Sequence, residues 1–281
     1  MHCGLGKWIR AALRQLFLLP SFLCLDVPFV ALGWALCLSG DHLSTWNGAA
    51  LFLAVWGIYL GDRILDASRL GSSEDLAPRH EWARRHRRLL GVLALIVLLT
   101  FVLLILPRLS PGTVWAGSGA AMATAFYFLV FRFSGNRLEW LARFPAKEVA
   151  IGLTFAAGIG IAATGGEPDL APLAPLAGMV LLFTGNCLLI GRAEQGWDRE
   201  ADFASYYTRP GQLHRLPETL LVAASVIGAV ESIREPGLCP LALLIGSGAT
   251  LILARTSSRQ DFQAIADGLL LVPWAVLWVF R

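Results

Sequence analysis

Hydrophobic residues in this chain come in long blocks, not in the one-faced or alternating patterns of a soluble protein. A bilayer-spanning helix needs about 17 to 25 residues. Runs of that order fall at 18–39, 47–66, 89–107, 112–131, 146–165, 172–193, 217–233, 238–254 and 263–280. The pattern predicts an all-α integral membrane bundle of nine transmembrane helices, one domain covering residues 1–281. The first run follows Lys7, Arg10 and Arg14 as a signal peptide would, but Asp26 and Pro28 lie inside it and no small-residue cleavage site follows, so a retained helix is expected.

The polar positions between the runs sort by sign. With the N-terminus in the cytoplasm, 20 of the 23 basic residues fall on the cytoplasmic side, leaving Arg108, Arg234 and Arg281 outside. The outer loops carry Asp41, Glu167, Asp169, Glu231 and Glu235. Cytoplasmic loops hold the Lys and Arg excess, which predicts an N-in, C-out topology in a cell inner or plasma membrane. Composition agrees, since 56% hydrophobic and 15% charged residues exclude an ordinary soluble enzyme. A net charge of +3 gives no reason to expect a nucleic-acid partner. The five cysteines, Cys3, Cys24, Cys37, Cys187 and Cys239, show no metal or disulfide spacing.

Two acidic arrays interrupt this apolar background. Asp62 and Asp66 end the second run within YLGDRILDASR, and Glu194, Asp198 and Asp202 follow the sixth. Both runs end on the same, cytoplasmic side. A spacing of four keeps each array near one helical face, where like charges repel, so a bound cation is the expected compensation. An all-carboxylate donor set without His or Cys suits Mg²⁺, which keeps positions free for water and phosphate. The competing reading pairs these acids with arginines such as Arg63, Arg69, Arg192 and Arg199.

Anion partners are drawn from Arg63, Arg69, Arg79, Arg84, Arg85, Lys147, Arg199 and Arg209, with Arg63, Lys147 and Arg199 favoured by their places beside the acids or at a span entrance. Arg84 to Arg88 read instead as an anchor for anionic head groups. Asp26 is either a helix-start acid or a site residue. Asn186 reads as an interhelical hydrogen-bonding residue. Trp34, Trp56, Tyr59, Phe126, Tyr127 and Phe155 are candidate pocket aromatics. The two longest loops, 67–88 and 194–216, each follow an acidic array and read as covers over it.

Span count and motif positions together make the chain resemble the UbiA superfamily of membrane prenyltransferases and related terpene cyclases. That family carries Asn-x-x-x-Asp-x-x-x-Asp after helix two and Asp-x-x-x-Asp-x-x-x-Asp after helix six. Here Asp62 and Asp66 match the last two positions of the first motif; Glu194, Asp198 and Asp202 match the second, with Glu replacing the first acid. Lys147, in FPAKEVAIG, is similar to a basic position that contacts diphosphate. The first-motif Asn is replaced by Ile58, so the resemblance implies that one contact is either missing or supplied by another residue, Asp26 or Tyr59. The resemblance implies two Mg²⁺ ions between the arrays, a prenyl diphosphate gripped by Arg63, Lys147, Arg199 and Arg209, and transfer of the prenyl group to a lipophilic or aromatic acceptor. A cyclase of the same fold, needing no acceptor, is the alternative it implies. A non-catalytic ion or lipid transporter is a third reading, because intramembrane carboxylates also mark ion paths.

Overall fold

The computed structural model describes residues 19–69, 78–130, 144–167, 172–200, 206–208, 211–256 and 262–280. Among the described residues every regular element is helical. In chain order these are α1 (Asp26–Ser39), α2 (Thr45–Arg69), α3 (Pro78–Arg85), α4 (Arg87–Thr100, continuing as π and 3-10 turns to Arg108), α5 (Pro111–Phe128), α6 (Ala146–Thr164), α7 (Leu173–Ala193), α8 (Gln195–Glu200), α9 (Leu216–Arg234), α10 (Leu238–Thr256), α11 (Phe262–Leu269) and α12 (Val272–Phe280). Hydrocarbon offers no partner for backbone N–H and C=O groups, so apolar runs of this length resolve into helices that satisfy themselves.

Each predicted span overlaps a helix, but the segments are not equivalent. Among the described residues seven are long and apolar enough to cross a membrane: Thr45–Ser68, Arg87–Arg108, Ala146–Thr164, Leu173–Ala193, Leu216–Arg234, Leu238–Arg255 and Phe262–Phe280. The predicted first span is shortened to the 14 residues of α1, because the backbone leaves helical geometry at Cys24 with φ 56°. The predicted fourth span, α5, has 18 residues, yet its sequence PGTVWAGSGAAMATAFYF is diluted by Gly, Ala, Ser and Thr, and it is not among the seven. Lys7, Arg10, Arg14 and Asp169 lie outside the described residues.

The helix ends follow local chemistry. Ser110 caps α5, its Oγ accepting from the Thr113 N–H at 3.1 Å, with Pro111 in the first turn. Gly165 ends α6 in the left-handed region at φ 67°, and Gly166 follows at φ 83°. A Cβ on Gly166 would lie 2.5 Å from the backbone of Gly112, so only glycine permits this approach of the α6 end to the α5 start. At the same end, Asn47 of α2 donates to the Ala162 carbonyl at 3.3 Å, and the Arg108 guanidinium lies 4.7 Å from the centre of the Trp46 ring.

Two helices carry the packing. α1 buries Val30, Ala31, Trp34 and Ala35 and is surrounded by α2, α6, α10, α11 and α12. Two indoles tie it to the break between α11 and α12: Trp34 donates to the Leu270 carbonyl at 3.1 Å, and Trp274 donates to that of Phe29 at 2.8 Å. α7 runs through the other half against α6, α9, α10 and α11. Its contact with α6 depends on Gly152, where a Cβ would stand 2.3 Å from Thr184 Oγ1 and 2.9 Å from the Val180 carbonyl. At the periphery, α4 leaves Leu95, Leu98 and Leu103 more than half exposed along with most of its apolar length, a surface suited to lipid.

Candidate functional site

Helix alternation brings the end of α2, the end of α7 and the starts of α1, α6 and α11 to one pole of the bundle. A cavity of about 200 Å³ opens among them. Its lining repeats at helical spacing: Tyr59, Asp62, Arg63 and Asp66 from α2; Lys147, Glu148, Ile151 and Phe155 from α6; Phe183, Asn186, Cys187, Ile190 and Gly191 from α7 with Glu194 at its end; Gln263 and Asp267 from α11. Steps of three and four place each set on one stripe, so a single face of each helix is turned inward. Val27 and Val30 of α1 and Leu270 complete the wall.

Polarity is graded along this cavity. One part gathers the charged side chains of α2, the α6 start and Glu194, while Val27, Val30, Phe155, Phe183 and Leu270 form an apolar wall. Phe155 and Phe183 meet edge to face with centroids 4.6 Å apart, and Trp34 packs on Phe183 from behind at 5.9 Å. Asp62, Asp66, Glu148, Glu194 and Asp267 are five carboxylates against two basic side chains, Arg63 and Lys147. All but Asp62 among the five are buried. Arg63 is electrostatically coupled to Asp66 and Asp62, and Lys147 to Glu148, Asp62 and Asp66. Arg63 and Lys147 therefore lie within electrostatic reach of these acids, and the five carboxyls outnumber the two basic groups in the lining by three. Buried carboxylates in excess favour a cation among them.

The described members of the two arrays thus share one cavity: Asp62, Asp66 and Glu194, with Arg63, Lys147 and Tyr59 from the predicted substrate set. Asp202 and Arg209 lie outside the described residues, as do the side chains of Asp198 and Arg199, whose backbone belongs to α8. Asp26 does not line the cavity. It sits at the start of α1, where its Oδ1 accepts the Val27 N–H at 3.0 Å and its charge acts on Arg63 from outside the lining. Ile58 is 37% exposed and turned away from the cavity, whereas its neighbour Tyr59 faces in.

The second array differs from the single helix face expected for it. Glu194 is the C-cap of α7 at φ −94° and ψ 3°, and α8 starts again at Gln195. Gly191 and Gly196 flank this break, and glycine is a weak helix former. Asp198, in α8, is therefore separated from Glu194 and α7 by this break. Arg192 turns away from the cavity, bonding the His214 carbonyl at 2.6 Å and Glu218 at 2.7 Å.

Part of the 194–216 loop folds back onto this pole. Tyr206–Thr208 forms a 3-10 turn, and Tyr206 and Tyr207 are buried against Leu188 of α7 and Leu216 and Leu220 of α9. The Tyr206 N–H donates to Glu148 Oε1 at 3.2 Å, the Leu213 N–H donates to the Tyr206 hydroxyl at 3.2 Å, and Gln195 donates to the Tyr207 carbonyl. Burial pushes the Tyr207 phenol above its ordinary range, and the nearby Arg192 charge opposes the shift. In the other long loop, α3 packs on α2 through Ala83, and Trp82 stacks on Phe22. Arg84, Arg85, Arg87 and Arg88 are exposed, in keeping with their reading as anchors.

Of the candidate aromatics, Tyr59 and Phe155 reach the cavity. Trp34 is core, Trp56 donates to the Leu23 carbonyl at 2.9 Å, and Phe126 is 67% exposed. Glu148, Phe183, Gln263 and Asp267 complete the lining and were not anticipated. Asp267 had a signal, since an acid inside the apolar run 263–280 marks a site by default.

Among the described residues no three His, Cys, Asp or Glu side chains converge closely enough to hold a metal by themselves. A divided site for Mg²⁺ requires less, because that ion is bound by one or two carboxylates and completes its shell with water and phosphate oxygens. Asp62 and Asp66 from α2 and Glu194 from α7 fit that donor chemistry. No family model, curated protein or solved structure matches the chain.

Proposed function

We propose that the protein is an integral membrane enzyme that ionises a prenyl diphosphate and transfers the prenyl group to a lipophilic or aromatic acceptor. The supporting observation is one cavity in which carboxylates from two helices, a buried arginine and a lysine adjoin an apolar aromatic wall. That division matches an amphipathic substrate with an anionic head and a hydrocarbon tail. On this reading the pole lies at the cytoplasmic face with the N-terminus inside, a side supported by the Lys and Arg excess of the loops.

Asp62, Asp66 and Glu194 hold Mg²⁺ on this reading, with Asp198 and Asp202 completing the second array. When bound, the ion supplies charge neutralisation to the diphosphate leaving group. Arg63 and Lys147 grip the phosphate oxygens, which fixes the head beside the carboxylates. Tyr59, Phe155 and Phe183 present ring faces to the tail and to the allylic cation formed as its C–O bond breaks. The docked Tyr206–Thr208 turn keeps bulk water from that cation.

The test is release of diphosphate from radiolabelled prenyl diphosphates by the purified full chain with Mg²⁺ and an acceptor extract. Asp62→Ala and Asp198→Ala are expected to lose turnover by at least about 100-fold while inserting normally in the membrane. Normal turnover in both variants would overturn the site. Cyclised products formed without any acceptor would replace transfer by the cyclase reading.

A further inference from the structure

The apolar wall of the cavity is a floor. Val30 of α1, Phe155 of α6 and Phe183 of α7 line it. One turn further from the mouth, on the same three helices, stand Trp34, Ile159 and Met179, each 0% exposed and part of one continuous core. The lining stops at the nearer turn, and packed side chains close the cavity behind it. Phe183 is the fixed part of this floor. It is 3% exposed, and Phe155 and Trp34 both meet its ring edge to face, with centroids at 4.6 and 5.9 Å. Trp34 is held in turn by its hydrogen bond to the Leu270 carbonyl at 3.1 Å. A ring clamped in this way does not yield to a longer ligand without disturbing its neighbours.

The depth of the floor bears on the length of a bound tail. Benzene fills a cavity of about 150 Å³, which is roughly 25 Å³ for each carbon. By that measure one isoprene unit takes about 125 Å³ and two take about 250 Å³. The whole cavity, charged part included, has about 200 Å³. We infer that Phe183 sets the tail length, and that the substrate is a prenyl diphosphate carrying a single isoprene unit. This inference rests on the prenyl diphosphate reading of the site and makes Phe183 a specificity-determining residue. It also bears on the reaction, because so short a tail has no second double bond with which to capture its own cation. Another molecule must then capture it, as transfer requires and cyclisation does not.

The test uses dimethylallyl, geranyl and farnesyl S-thiolodiphosphates, whose C–S bond resists ionisation, so that binding to the detergent-solubilised full chain with Mg²⁺ is read apart from turnover. The quantity compared is the ratio of geranyl to dimethylallyl affinity, in which partition into the micelle cancels between variants. Phe183→Ala removes a phenyl ring, the room of about one isoprene unit, and should raise this ratio about ten- to 100-fold above wild type. Phe183→Leu keeps more of the core packing and so guards against a misfolded variant; it should shift the ratio the same way by less. Phe126→Ala, at an exposed ring outside the cavity, should leave it unchanged. A ratio that stays at the wild-type value in both Phe183 variants overturns the inference. Wild type that binds all three lengths alike and still releases diphosphate loses this inference and keeps the proposed reaction. Discrimination by length without diphosphate release from any of the three natural diphosphates keeps the floor and overturns the reaction. Both fall if no analogue binds.

Discussion

Replacing Glu148 by Ala is expected to undock the Tyr206–Thr208 turn before it affects the bundle. Glu148 Oε1 accepts the Tyr206 N–H at 3.2 Å, and both residues are 5% exposed. A hydrogen bond to a charged group contributes about 1.5–3 kcal/mol, and truncation leaves the buried N–H without its partner. At about 1.4 kcal/mol per tenfold, local opening of this turn should become about ten- to 150-fold more frequent. Hydrogen exchange resolved to residues 206–208 reads that change directly, because a segment that opens on its own exchanges through its own opening equilibrium. Glu148→Gln keeps a neutral acceptor and should fall between wild type and Ala. The α9 amides serve as the internal control. Unchanged protection at 206–208 in Glu148→Ala would refute the view that this contact holds the loop over the cavity.

Other perturbations test separate parts of the structure. Gly152→Ala puts a Cβ within 2.3 Å of Thr184 Oγ1 and 2.9 Å of a carbonyl, so α6 and α7 must separate, at a cost of about 1–3 kcal/mol; a lowered midpoint in thermal unfolding checks this. Burial raises the Tyr207 phenol, so its contribution is complete below the ordinary tyrosine pKa of about 10 and is lost as pH rises from there toward the folded value. Protection at 206–208 should therefore weaken at high pH in wild type and lose that part of its pH dependence in Tyr207→Phe. Chelation by EDTA should stop diphosphate release and Mg²⁺ should restore it; turnover that survives chelation would remove the metal from the proposal.

Most of the architecture was legible along the chain because a bilayer imposes a length on every apolar run and forces its backbone into helices. The stripe Tyr59, Asp62, Arg63 and Asp66 was legible for a related reason, since spacing of three and four within an unbroken helix leaves one arrangement for the side chains. Breaks in that regularity were not legible. Cys24 turns left-handed and Glu194 ends α7 one turn before Asp198, and neither break shows in the pattern of apolar positions. Asp26 lies within an apolar run as Asp267 does, yet only Asp267 lines the cavity, because the packing of α1 and α11 against α2 and α7 decides which face each turns inward. Spacing along the apolar runs was enough to bring Asp62, Asp66, Arg63, Lys147 and Glu194 to one end of the bundle, but not to show that Glu148, Asn186 and Asp267 join them. Residues far apart in the chain share a cavity only through helix rotation and close approach, and those are set by tertiary contacts such as Gly152 against Thr184.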